Sequence, residues 1–70
     1  MRLKELLKLM MPDQKMAIYT ELMGSEPEWI GEAWHVPWHY AEREIPPNSE
    51  IGYEEKFEAI GVDVRYSDEN

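Results

Sequence analysis

Apolar residues recur at helical spacing at the start of the chain and at strand spacing after it. Leu3, Leu6, Leu7 and Met10 fall at i, i+3, i+4 and i+7, with Lys4, Glu5 and Lys8 off that stripe. This is the signature of an amphipathic helix. Pro12 and Asp13 stop it, so the pattern predicts a helix over about residues 2–11. From Lys15 to Leu22 the residues alternate: Met16, Ile18, Thr20 and Leu22 on one face, Ala17, Tyr19 and Glu21 on the other. That period predicts a strand. A turn cluster, Gly24-Ser25-Glu26-Pro27, leads to a second extended stretch, Glu28 to Trp34. There Trp29, Gly31 and Ala33 share one side, and Ile30, Glu32 and Trp34 the other. The two strands form a hairpin with a loop of about five residues. Gly31 and Ala33 are small enough to let a helix approach closely.

Val36-Pro37 breaks the pattern, and proline suits a first helical turn. Residues 37–44 therefore read as a short helix, closed by Pro46-Pro47, with loop over 48–52. The last strand lies within 54–66, clearest at Ile60, Val62, Val64 and Tyr66, with Gly61 a candidate bulge. Residues 66–70 are a polar tail expected to fray. The order is α-β-β-α-β in one domain, an α+β fold. A helix joins strands 2 and 3, which should therefore run parallel. Strand 3 would then pair antiparallel with strand 1, giving a three-stranded antiparallel sheet of order 2-1-3. Both helices would lie on one face. The other face would stay partly open, carrying Tyr19, Ile30 and Trp34.

Seventy residues limit the core, since a chain of this size buries only about 60% of the surface its unfolded form exposes. There is no cysteine, so neither disulfides nor thiolate zinc sites support it. Three Trp, four Tyr and five Met make a core of large side chains the alternative to oligomerisation. Trp29, Trp34, Trp38 and Tyr40 crowd into twelve residues. Such aromatics serve small cores and interface anchors alike. The expectation is that two of the three Trp form the core beneath the second helix, and that a remaining one, ringed by Glu26, Glu28, Glu32 and Glu42, is an exposed anchor.

Charge divides the chain. Residues 1–20 hold four bases and two acids, a net of +2, and residues 21–70 hold three bases and thirteen acids, a net of -10. The total is -8. So acidic a surface repels phosphate, which argues against direct nucleic-acid binding and for basic protein partners. Apolar runs are too short for a membrane span. Lys4, Glu5 and Lys8 interrupt what a signal peptide would need to be apolar. Both points lead to an expected cytoplasmic location.

Catalytic signatures are sparse. Ser25, Ser49 and Ser67 sit in turns or the tail, and the four glycines are scattered, so neither a nucleophile elbow nor a phosphate loop is written here. His35 and His39 would share a face on a continuous helix, as a metal site needs, but Pro37 separates them. They read as surface or capping histidines. The paired carboxylates (Glu42 and Glu44, Glu54 and Glu55, Asp68 and Glu69) lie in polar stretches, where pKa values are not driven apart. No enzyme activity, metal or cofactor is expected.

The segments MRLKELLKLM, EWIGEAWHVP, PWHYAERE and IGVDVRYSDEN together resemble small accessory proteins encoded by phages and prophages of Gram-positive bacteria. The Trp-rich segment and the Pro46-Pro47 loop depart from that pattern. The resemblance implies a counter-defence role of the anti-CRISPR or anti-restriction kind, exercised in the host cytoplasm, and no transferable catalytic residues. A Cas-type nuclease reads its recognition motif with Arg and holds heteroduplex in a basic channel. Carboxylates could occupy such Arg sites through bidentate hydrogen bonds. The residues expected to bind the partner are Glu26, Glu28, Glu32, Trp34, Glu54, Glu55 and Asp63. Two other readings stand beside this one. In one, an oligomer sequesters a nucleotide, with Arg43 and Arg65 as anion ligands. In the other, the chain is a structural or assembly partner with an exposed apolar patch. A second copy on the open sheet face would make a homodimer.

Overall fold

The computed structural model describes residues 1–21 and 25–65. Leu22 and Gly24 of the predicted first strand and turn, and Tyr66 with the predicted tail, lie outside the described residues. The elements are α1 (Leu3–Leu7), β1 (Lys15–Tyr19), β2 (Trp29–Glu32), a 3-10 turn (Ala33–His35), α2 (Trp38–Ala41), β3 (Gly52–Glu54) and β4 (Ala59–Asp63). Four strands form one mixed sheet of order β2-β1-β4-β3.

The α1 stripe behaves as its spacing dictates. Leu3 is fully buried, and Leu6, Leu7 and Met10 pack against the core. Glu5 folds back to accept from the Arg2 backbone N–H (2.8 Å), which satisfies a free donor at the helix start. Regular helix ends sooner than expected. Leu9 and Met10 bond to carbonyls three residues back, tightening the last turn before Pro12.

The core lies between the helices and one face of the sheet. Leu3 of α1 and Tyr40 of α2 meet Met16, Ile18 and Val62 there, with Ala33, Ile45 and Val64 at the margins. Both helices thus cover the same face. In the register, Ile18 pairs with Trp29 and Met16 with Gly31. Trp29 and Gly31 therefore share the core side, as the alternation predicted. The room at Gly31 is taken by Trp29 and not by a helix: a Cβ on Gly31 would stand 2.7 Å from the Trp29 indole.

Two features of the sheet correct the sequence reading. The last strand pairs with β1 in parallel, with Met16 opposite Ile60 and Tyr19 opposite Asp63. The sheet is also four-stranded. The short β3 pairs antiparallel with β4 through Gly52–Gly61 and Glu54–Ala59, and it accounts for the reversal. β2 and the strand after the helix do run parallel, but that strand is β3 at the far edge. The hairpin then turns the chain once more. Its turn carries Glu58 at φ 52, the left-handed region. Gly61 stays in regular register and forms no bulge.

The Trp expectation also fails. Trp29 alone packs against the core, whereas Trp34 is 64% and Trp38 75% exposed. Tyr40 and Trp38 are two residues apart on α2, nearly opposite sides of a helix, so burying one exposes the other. The Arg2–Glu44 bridge and the bond from the Arg65 N–H to the Glu44 carbonyl close the fold at the end of β4.

Candidate functional site

The pleat that sends Met16, Ile18 and Val62 inward sends Tyr19, Glu54, Gly61 and Asp63 to the opposite face. There the sheet forms an open concavity of about 510 Å³, lined chiefly by Tyr19, Tyr53, Glu50, Glu54 and Asp63. Small residues make the hollow. Gly61 and Gly52 sit side by side across β4 and β3, and Ala17 follows on β1.

The Tyr19 hydroxyl donates to Glu54 Oε1 at 2.7 Å. Glu54 reaches it by lying across Gly61, where a Cβ would stand 2.8 Å from the Glu54 carboxylate. The bareness of Gly61 is thus a condition of that hydrogen bond. Burial first, then the Glu54 hydrogen bond and the charges of Glu54, Asp63 and Glu26, push the Tyr19 phenol up from 10.0 to about 12. Burial is the larger cause, and the three carboxylates add a negative local potential to it. No Lys or Arg is among the described residues lining the hollow.

The expected partner-binding residues divide into three groups. Glu26, Glu54 and Asp63 converge on Tyr19, and Glu55 follows Glu54 as an exposed residue of the β3–β4 turn. Glu28 has internal work instead. It accepts from the Tyr40 hydroxyl and the Thr20 hydroxyl, both at 2.8 Å. The Tyr40 bond and then the Thr20 bond, with smaller help from the Arg43 and His39 charges, outweigh desolvation and hold its carboxyl below the ordinary value. The Tyr40 phenol is raised by burial and by Glu28. Glu32 and Trp34 form a separate pair on the outer edge: the indole Nε1–H donates to Glu32 at 2.8 Å. Glu32 lies opposite Lys15, at the other end of β1 from Tyr19, about 13 Å along the strand.

Glu50 and Tyr53, both in the lining, were not expected from the sequence. Glu50 sits in loop with no period to place it. Tyr53 belongs to the strand that carried no recognisable pattern. His35 lies in the 3-10 turn, stacked on Trp34 with ring centroids 3.9 Å apart, and His39 lies in α2. Among the described residues no three His, Asp or Glu gather as a metal ion would require, and no helix is long and apolar enough to cross a membrane. No family model, curated protein or solved structure matches this chain.

Proposed function

We propose that the chain is a non-catalytic inhibitor of a nucleic-acid-processing enzyme, acting in the host cytoplasm through an acidic surface that stands in for nucleic-acid phosphate. The observation that carries the reading is the gathering of Glu50, Glu54 and Asp63 with Tyr19 in one open hollow of the sheet, with the Glu26 charge also felt at Tyr19. Carboxylates gathered on one surface offer Arg and Lys the charge-assisted, bidentate geometry that phosphates offer them. The net charge of -8 steers the chain toward basic channels at long range. An anionic nucleotide would meet the same carboxylates as repulsion, which favours the inhibitor over the sequestering oligomer at this face. Arg43 also has work within the fold, donating to the His39 and Arg65 carbonyls.

The test is capture from a bacterial lysate at low salt, followed by a salt wash. Wild type is compared with the triple variant Glu26→Lys, Glu50→Lys, Asp63→Lys, all three exposed positions. Glu28 and Glu54 are left alone because each serves a hydrogen bond in the fold. Capture of a basic nucleic-acid-handling enzyme that salt releases and the variant cannot hold supports the reading. Partners equally retained by the variant, or indifferent to salt, would sink it.

A further inference from the structure

A second surface differs in chemistry from the acidic face. Where α1 meets the 3-10 turn, Leu7, Met10, Pro12, Ala33 and Trp34 line a groove of about 250 Å³, with Lys4 and Lys8 on its rim. The groove is built, not incidental. The Trp34 backbone N–H donates to the Pro12 carbonyl (3.1 Å) and its indole N–H to Glu32 (2.8 Å), so backbone and ring are each tethered by one bond. It is nonetheless 64% exposed, and Leu9 and Met11, on either side of Met10, are 77% and 70% exposed. A tethered, solvent-facing Trp beside aliphatic side chains is the composition of an interface anchor. The rim decides the occupant. In a chain of net charge -8, Lys4 and Lys8 set two cations against an apolar hollow, and the adjoining Glu42 and Glu32 carboxylates are engaged by Lys4 and the Trp34 indole. Lys8 has no ion-pair partner among the described residues, and Lys4 holds only the surface pair with Glu42, weak enough to exchange.

We infer that this groove binds an acidic peptide segment of a protein partner: a large apolar side chain enters between Leu7 and Trp34, and flanking carboxylates meet Lys4 and Lys8. The site is independent of the acidic face, and each can fail alone.

The probe is a set of dye-labelled nonapeptides with a central Leu or Phe, flanked by Glu, Ser or Lys, titrated with the full chain and read by fluorescence anisotropy. The Glu-flanked peptides are expected to bind roughly tenfold tighter than the Ser-flanked ones, with Lys-flanked peptides weakest. Trp34→Ala and Lys8→Glu should each remove most of that binding. Lys8→Glu changes an exposed side chain and so guards against a folding artefact, checked by circular dichroism. The triple variant of the acidic face, which lowers the net negative charge, should bind the Glu-flanked peptides at least as tightly as wild type does. Binding that ignores the flanking charge, or survives Lys8→Glu, overturns the proposal. So does co-sedimentation with anionic phospholipid vesicles in the absence of peptide binding, which would make the groove a membrane contact. A concentration-dependent dimer abolished by Trp34→Ala would overturn it too, since a second copy would then be the occupant.

Discussion

The Tyr19 phenol offers a readout of the acidic face that needs no partner, and Glu54→Gln is the perturbation. In the wild type, burial, the 2.7 Å bond to Glu54 and the charges of Glu54, Asp63 and Glu26 raise the phenol from 10.0 to about 12. That makes it a roughly hundredfold weaker acid. Glutamine keeps an acceptor of the same shape but removes the charge. Burial, Asp63 and Glu26 remain, so Tyr19 should fall from about 12 but not all the way to its ordinary value. The assay is a pH titration of the Tyr19 ring signals by NMR, with tyrosines assigned individually. Gly61→Ala should move Tyr19 in the same direction, because its Cβ would stand 2.8 Å from the Glu54 carboxylate and displace it. The sign for stability follows. Tyr19 holds its proton more tightly folded than unfolded, so its contribution is complete below pH 10.0 and is lost as pH rises toward about 12. In Glu54→Gln that contribution is smaller and disappears at lower pH. A wild-type Tyr19 that titrates near 10, or a titration unmoved by Glu54→Gln, would refute the placement of Glu54 over Gly61 and the negative potential assigned to this face.

Three further outcomes follow from the packing. Gly31→Ala sets a methyl against the Trp29 indole at 2.7 Å and should destabilise the fold by about 1–3 kcal/mol in urea denaturation; a neutral result would mean that Trp29 does not lie over Gly31. Glu58→Gly relieves a left-handed backbone at φ 52 and should raise stability by up to about 1 kcal/mol, since that conformation disfavours residues with a Cβ; a loss of stability would contradict the β3–β4 turn. Glu28→Gln should cost about 1 kcal/mol at neutral pH by weakening two charge-assisted bonds. Because the folded pKa of Glu28 lies below its ordinary value, its contribution is present above pH 4.5 and lost as pH falls through the folded value, so wild type and variant should converge in acid. A difference that persists in acid would assign the effect to packing.

Much of the fold was legible because periodicity reports burial. The i, i+3, i+4, i+7 stripe of α1 and the alternation of Met16 with Ile18 are both realised in the core. So is the phase of Trp29 with Gly31, and the adjacency order 2-1-3 survives within β2-β1-β4-β3. The missed strand explains the wrong direction of the last one. Gly52–Glu54 is three residues long, too short to show an alternation. Its turn uses Glu58 at positive φ where a sequence reading looks for Gly or Asn. The fate of each Trp depends on where its element ends: Trp29 sits at a core-facing strand position, and Trp34 follows the strand into a 3-10 turn. For the site, alternation correctly placed Tyr19 on the open face, and Glu54 and Asp63 converge on it there. It could not show that Glu28, identical in chemistry, is held by Tyr40 and Thr20 on the other side, because partners from distant segments leave no local signal.

Whether the acidic face replaces nucleic acid is decided by competition. Labelled duplex bound to the captured enzyme is titrated with the chain at several salt concentrations, and its release followed by fluorescence anisotropy. The expected result is displacement of the duplex by wild type, weakening steeply as salt rises, and no displacement by Glu26→Lys, Glu50→Lys, Asp63→Lys. A ternary complex in which the enzyme holds chain and duplex together would contradict mimicry outright.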